Sequence, residues 1–133
     1  MTKTVIHSPD APQARGPYSQ AIVAANGMVF TAGQLGTDPA TGKFVEGEPG
    51  QAIEAQTAQT LRNIQMVLGA AGCTLADVVK TTVFLKDMDD FARMNAVYAT
   101  FFTEQPPARS TVQVARLPQD GLIEIETIAV KPS

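Results

Sequence analysis

The stretch Leu122-Ile123-Glu124-Ile125-Glu126-Thr127-Ile128-Ala129-Val130-Lys131 decides the fold class. Its β-branched and apolar content predicts a strand, and strand alternation sorts its side chains onto two faces. Ile123, Ile125 and Ala129 share one face; Leu122, Ile128 and Val130 share the other with Glu124 and Glu126. Both faces are therefore apolar over part of their length. The same holds for Val78–Lys86, where Val79, Val83 and Leu85 alternate with Val78 and Phe84, and for Met28 and Phe30 around Val29.

Working outward, the strand Arg109–Ala115 precedes a loop containing Pro118 and Gly121. Before it, Asp87 or Asp89 can cap a helix that runs to about Thr103 and stops ahead of Pro106-Pro107. Phe91, Met94, Tyr98, Phe101 and Phe102 should form its buried face. A longer helix is expected from Ala52 to Ala71, with Ile53, Ala58, Leu61, Ile64, Leu68 and Ala71 as its stripe and Gly72 as its stop. Ahead of it lies a breaker-rich loop, Gly33–Gly50, and a hairpin over Ala21–Thr31 turning at Asn26-Gly27. The order ββαβαββ predicts an α+β fold, residues 1–133 forming a single domain.

Two helices can cover one face of such a sheet, so the second apolar face needs a cover of its own. A symmetric partner is the usual one, and a homo-oligomer is expected.

Composition narrows the function classes. The net charge of −3, with no Lys/Arg-rich run, argues against nucleic acid as a partner. No signal peptide is visible, and the longest apolar run, Ala21–Ala25, is far too short to span a bilayer, so no membrane role is expected. One cysteine, Cys73, and one histidine, His7, cannot assemble the usual transition-metal site, and no acidic loop motif suggests Mg²⁺ or Ca²⁺. Cys73 lacks a neighbouring base and reads as structural. The expectation is a cytoplasmic, globular, metal-free protein.

Chemistry must come from other residues. Arg109 follows Pro106-Pro107-Ala108 and opens a strand in which Arg109, Thr111 and Gln113 share a face. There it is either an ordinary paired arginine or a fixed fork for a carboxylate. Glu124 is either part of a wet strand face or a second functional group; if the last two strands form a hairpin, it lies opposite Gln113, away from Arg109. The two could then meet across a subunit interface. Tyr18 sits in the turn-prone Gly16-Pro17-Tyr18-Ser19-Gln20, Asn95 lies beside the apolar stripe of the second helix, and Gly33 could admit close approach of a ligand to the backbone.

In order and at matching spacing, several segments together resemble the reactive-intermediate deaminase family, RidA or YjgF. They are Gly16-Pro17-Tyr18-Ser19-Gln20-Ala21, Phe30-Thr31-Ala32-Gly33-Gln34-Leu35, Val79–Leu85 with Met88–Phe91, Met94–Tyr98, Pro107–Val112, Ala115–Pro118 and Ile123–Glu126. The resemblance implies a chorismate-mutase-like α+β fold and a homotrimer with sites between subunits. It also implies hydrolysis of reactive enamines and 2-imino acids to 2-keto acids and ammonia, as by a 2-iminobutanoate/2-iminopropanoate deaminase, with no cofactor or metal. By position, Arg109 matches the family's carboxylate-binding arginine, Glu124 its water-positioning glutamate and Tyr18 its site tyrosine. Gly33 and Asn95 match positions lining the cleft. Ala32 and Thr111 stand in the pocket where the best-described members have serine and cysteine, which bears on substrate range. Competing readings are a non-catalytic keto-acid binding module, a ribonuclease or translation inhibitor, and a chaperone.

Light scattering tests the assembly expectation: at micromolar concentration the protein should run as a multiple of its chain mass, and a monomer would contradict the two-faced sheet argument.

Overall fold

The computed structural model describes residues 2–133. Strands β1 (Lys3–Ile6), β2 (Ala21–Ala24), β3 (Met28–Thr31) and β4 (Gln34–Leu35) precede helix α1 (Ala52–Ala70). Then come β5 (Val78–Leu85), α2 (Phe91–Phe101), β6 (Ala108–Gln113) and β7 (Ile123–Val130). This is an α+β fold with a mixed sheet and two helices, the class the sequence predicts, but β1 and β4 are two strands beyond the expected ββαβαββ, β4 lying in the segment read as a loop. The sheet runs β1-β2-β3-β7-β5-β6, with β4 also paired to β7.

The last two strands do not pair as a hairpin. β6 pairs in parallel with β5, and β7 pairs antiparallel with the other edge of β5. Glu124 therefore faces Phe84 rather than Gln113. The reason is the connection: a strand-helix-strand crossover through α2 returns the chain parallel to β5, so β6 takes the outer edge. The loop after β6 then carries the chain past β5 to its inner side, where β7 bridges both halves of the sheet.

Both helices pack on one face of the sheet. Leu61, Ile64, Val67 and Leu68 of α1 and Met94 of α2 are fully buried against Val83, Leu85, Ile123 and Ile125. The expected stripes are thus largely right, although Ala58, Phe91 and Phe101 are only half-buried. The second helix also starts later than its cap. Asp87 caps a short 3₁₀ turn, Met88–Asp90, through Asp89 N–H at 2.9 Å, and α2 begins at Phe91. A register shift between Val78 and Lys80 moves Val79 off the face it was expected to share with Val83, leaving it exposed while Val78 is buried.

Polar residues of α1 fix the segment before it. Asn63 Nδ2 donates to the Leu35 and Thr37 carbonyls at 3.0 and 2.8 Å, and Gln56 Oε1 accepts from Leu122 N–H at 3.0 Å. Buried carbonyls and amides need such partners, so these contacts hold β4 and the entrance of β7 together. The opposite face of the sheet carries no helix. There Phe30 lies beside Ile128, and Val112 beside Phe84; Phe30, Val112 and Val130 are each more than two-fifths exposed.

Ile125 is wholly buried where β7 meets β4 and β5. Ile125→Ala should lower the unfolding free energy by about 2–5 kcal/mol in urea titrations. A loss below about 1 kcal/mol would mean that this centre is loosely packed.

Candidate functional site

The residues singled out in the sequence fall into two groups. The first is built on the edge strand β6. Arg109 pairs with Thr81 and Thr111 with Val83, so both side chains share the helix-covered face of β5. On α2, Phe91, Asn95 and Tyr98 recur at helical spacing and meet this edge. The Arg109 guanidinium carbon lies 4.7 Å from the Tyr98 ring centre and 5.4 Å from that of Phe91. Its Nη1 donates to Asn95 Oδ1 at 2.7 Å.

Tyr98 is itself fixed by a 2.8 Å hydrogen bond to Thr81, and its burial pushes the phenol pKa up, so the ring stays neutral beneath the cation. Among the described residues no carboxylate comes within 4.0 Å of Arg109. One of its five N–H donors is committed to Asn95, which leaves a held fork able to take a carboxylate. Beside it, Thr111 Oγ1 is buried with no hydrogen-bond partner among the described residues. Gln113, next along the same face, accepts Met88 N–H at 2.7 Å and ties the end of β6 to the 3₁₀ turn that precedes α2.

The second group lines a cavity of about 460 Å³ that includes Arg15, Tyr18, Ala32, Gly33, Gln119 and Glu124. Glu124 is half-buried on β7 between Leu35 and Phe84. Burial, with a smaller contribution from Glu126, raises its carboxyl pKa. Gly33 does admit a close approach, but of this side chain: a Cβ at Gly33 would sit 2.7 Å from the Glu124 carboxyl carbon. Tyr18 is 53% exposed, and its hydroxyl accepts from Arg15 N–H at 3.2 Å, so its own O–H remains to donate outward. The Ala32 N–H is held by the Gln20 carbonyl at 2.9 Å. Gln20 in turn ties Ser8 and Pro12 to the site through its side chain.

The two groups lie on opposite faces of the sheet. Arg109 sits opposite Thr81, and Glu124 opposite Phe84; the side chains of Thr81 and Phe84 point to different faces of β5. Within one chain the arginine fork and the glutamate do not share a pocket. Tyr98 and Phe91 read from the sequence only as packing residues, although their spacing from Asn95 placed all three on one helical face. Nothing in the sequence singled out Arg15 or Gln119 as cavity residues. Cys73 is buried, with burial pushing its thiol pKa up, as its structural reading requires.

Comparison with known proteins places this geometry in context. The family model described as Endoribonuclease L-PSP matches residues 8–131. A RutC family protein of Pyrococcus horikoshii is 56% identical over 129 residues, covering 97% of this chain and 98% of its own. A 2-iminobutanoate/2-iminopropanoate deaminase of Salmonella typhimurium is 49% identical over 134 residues, covering 98% of this chain and 99% of its own. Among solved structures, E. coli TdcF with bound serine is similar with a TM-score of 0.88 at 42% identity, covering 97% of this chain and 99% of that one.

The raised pKa of Glu124 has a signed consequence. Between its unfolded and native pKa values the native state holds more protons, so stability falls as pH rises through that window. Glu124→Gln keeps the shape and removes the titration. In urea unfolding, the variant should gain stability relative to the wild type as pH rises above the ordinary carboxyl value of about 4. A difference that does not change with pH would show a carboxylate solvated as in the open chain.

Proposed function

The chain belongs to the Endoribonuclease L-PSP family, which is the RidA/YjgF family, and from that membership we propose that it hydrolyses 2-imino acids to 2-keto acids and ammonia. The observation that carries the reading is the Arg109 fork, stacked on Tyr98, held by Asn95 and lacking an ion-pair partner among the described residues. A 2-imino acid bears a carboxylate beside an electrophilic C=N carbon, and a two-pronged arginine fixes the plane of both. The Salmonella relative is named for this activity, and the E. coli structure holds serine, another small carboxylate ligand.

In this reading, Arg109 binds the substrate carboxylate and Glu124 orients the attacking water. Its raised pKa suits a base that must take a proton and later return one. Water adds to the protonated imine carbon, the C=N π electrons pass to nitrogen, and Glu124 accepts the water's proton. The resulting carbinolamine transfers a proton to nitrogen and expels ammonia as its hydroxyl becomes the keto oxygen. Tyr18 donates a hydrogen bond to substrate or water. Gly33 gives Glu124 its room, Asn95 steadies Arg109, and Ala32 and Thr111 shape the pocket. No metal or cofactor has a part in these steps.

The opposite-face placement makes assembly part of the proposal. A homotrimer of chorismate-mutase-like form would bring the Arg109 edge of one chain against the Glu124 cavity of the next, and the uncovered apolar face supplies the surface for it. The working setting is the reducing cytoplasm, which suits a lone buried thiol. The family description also raises ribonuclease activity, but the net charge of −3 offers little for a phosphate backbone.

An amino-acid oxidase that releases 2-iminopropanoate, coupled to imine detection, tests the reaction. The wild type should hasten imine loss, and Arg109→Ala should abolish that effect. Arg109→Lys should restore little, because a point charge lacks the fork. Glu124→Gln should slow the reaction by about 10²–10⁴-fold. No acceleration with any of several imino acids would sink the deaminase reading.

A further inference from the structure

Among the described residues, Arg15 is the single cation on the lining of the Glu124 cavity, and the reaction described above gives it no task. Its backbone N–H is held by the Tyr18 hydroxyl at 3.2 Å, and its Nη2 donates to the Gly42 carbonyl at 3.1 Å. Gly42 has φ of +73°, and its own N–H closes a turn onto the Asp38 carbonyl at 2.8 Å, so the anchoring carbonyl belongs to a constrained loop. Both ends of the residue are thus tethered beside the cavity.

Only that one side-chain hydrogen bond engages the guanidinium, and no carboxylate comes within 4.0 Å of it among the described residues. Glu124 lies on the same cavity without pairing to it, and the charge that acts on Glu124 is Glu126, not Arg15. The cavity therefore has a carboxylate in one part and an unpaired arginine in another. In the single chain its volume of about 460 Å³ falls in the range of roughly 300–1,000 Å³ that holds drug-sized ligands, larger than a three-carbon imino acid.

We propose that Arg15 forms a second anion subsite, which selects imino and keto acids bearing a distal carboxylate. The inference rests on the reading that Arg109 of a neighbouring chain takes the α-carboxylate at the Glu124 cavity. A substrate with two carboxylates entering a cavity that already holds Glu124 needs a second cation to offset repulsion, and the exposed Arg15 is the cation on that lining among the described residues. Pro12 and Pro118 on the lining offer apolar surface to the methylenes between the two acids. Such a subsite discriminates by charge at the far end of the side chain while leaving the reacting carbon to Arg109 and Glu124.

Calorimetric titration of the whole protein with stable keto acids tests this apart from catalysis. The probes are 2-oxoglutarate and 2-oxohexanoate, of similar reach but with two carboxylates and one. The wild type should bind 2-oxoglutarate more tightly, and Arg15→Ala should reduce that preference at least tenfold. Arg15→Lys should retain part of it, since the charge persists without the fork. A preference unaltered in Arg15→Ala overturns the subsite, as does an equal loss for both ligands, which would make Arg15 a general anchor. Hydrolysis of 2-iminopropanoate by the wild type is measured alongside. Its absence would count against the deaminase reading, while the titrations still decide the role of Arg15.

Discussion

The position of β5 between β6 and β7 is the constraint on which the rest depends. A strand sends consecutive side chains to opposite faces, and both neighbours of β5 are locked to it by main-chain hydrogen bonds. Arg109 therefore inherits the face of Thr81, and Glu124 the face of Phe84. No rotamer change carries either side chain through the sheet. On the proposed reading, the carboxylate anchor and the water-orienting base come from two copies of the chain.

Each half of the site is prepared in its own way. Arg109 is held by an aromatic ring, a second ring and an amide, so little freedom is left to lose when a carboxylate arrives. The Tyr98 phenol that supports it is buried, neutral and pinned by Thr81. Glu124 is arranged differently: it is set over Gly33, where any side chain would collide with it, and burial favours its protonated form. The helix residues Gln56 and Asn63 secure the β4 segment and the entrance of β7, which frame that carboxyl.

Much of this was legible in the residues themselves. The two-faced apolar pattern of Leu122–Lys131 foretold a sheet with one helix-covered side and one apolar side, and alternation put Arg109 with Thr111. What alternation could not convey was strand order. A hairpin between the last two strands satisfies the local pattern equally well; the α2 crossover excludes it, and crossover geometry is a property of three elements at once. The Val79 displacement escaped for a related reason, since a register shift leaves no mark on a run of β-branched residues. Tyr98 read as a core aromatic because its second role depends on a strand distant in sequence. Arg15 gave no signal, because its anchor, the Gly42 carbonyl, lies across a breaker-rich loop.

The central claim is that each working site combines Arg109 of one chain with Glu124 of another. Mixing two inactive variants tests it most directly: Arg109→Ala and Glu124→Gln chains are unfolded together, refolded as hybrids, and assayed for imine hydrolysis. In a hybrid, some interfaces pair an intact Arg109 with an intact Glu124. The account predicts that activity absent from either variant alone returns in the mixture. Hybrids shown to form by mass, yet as inactive as their parents, would contradict it.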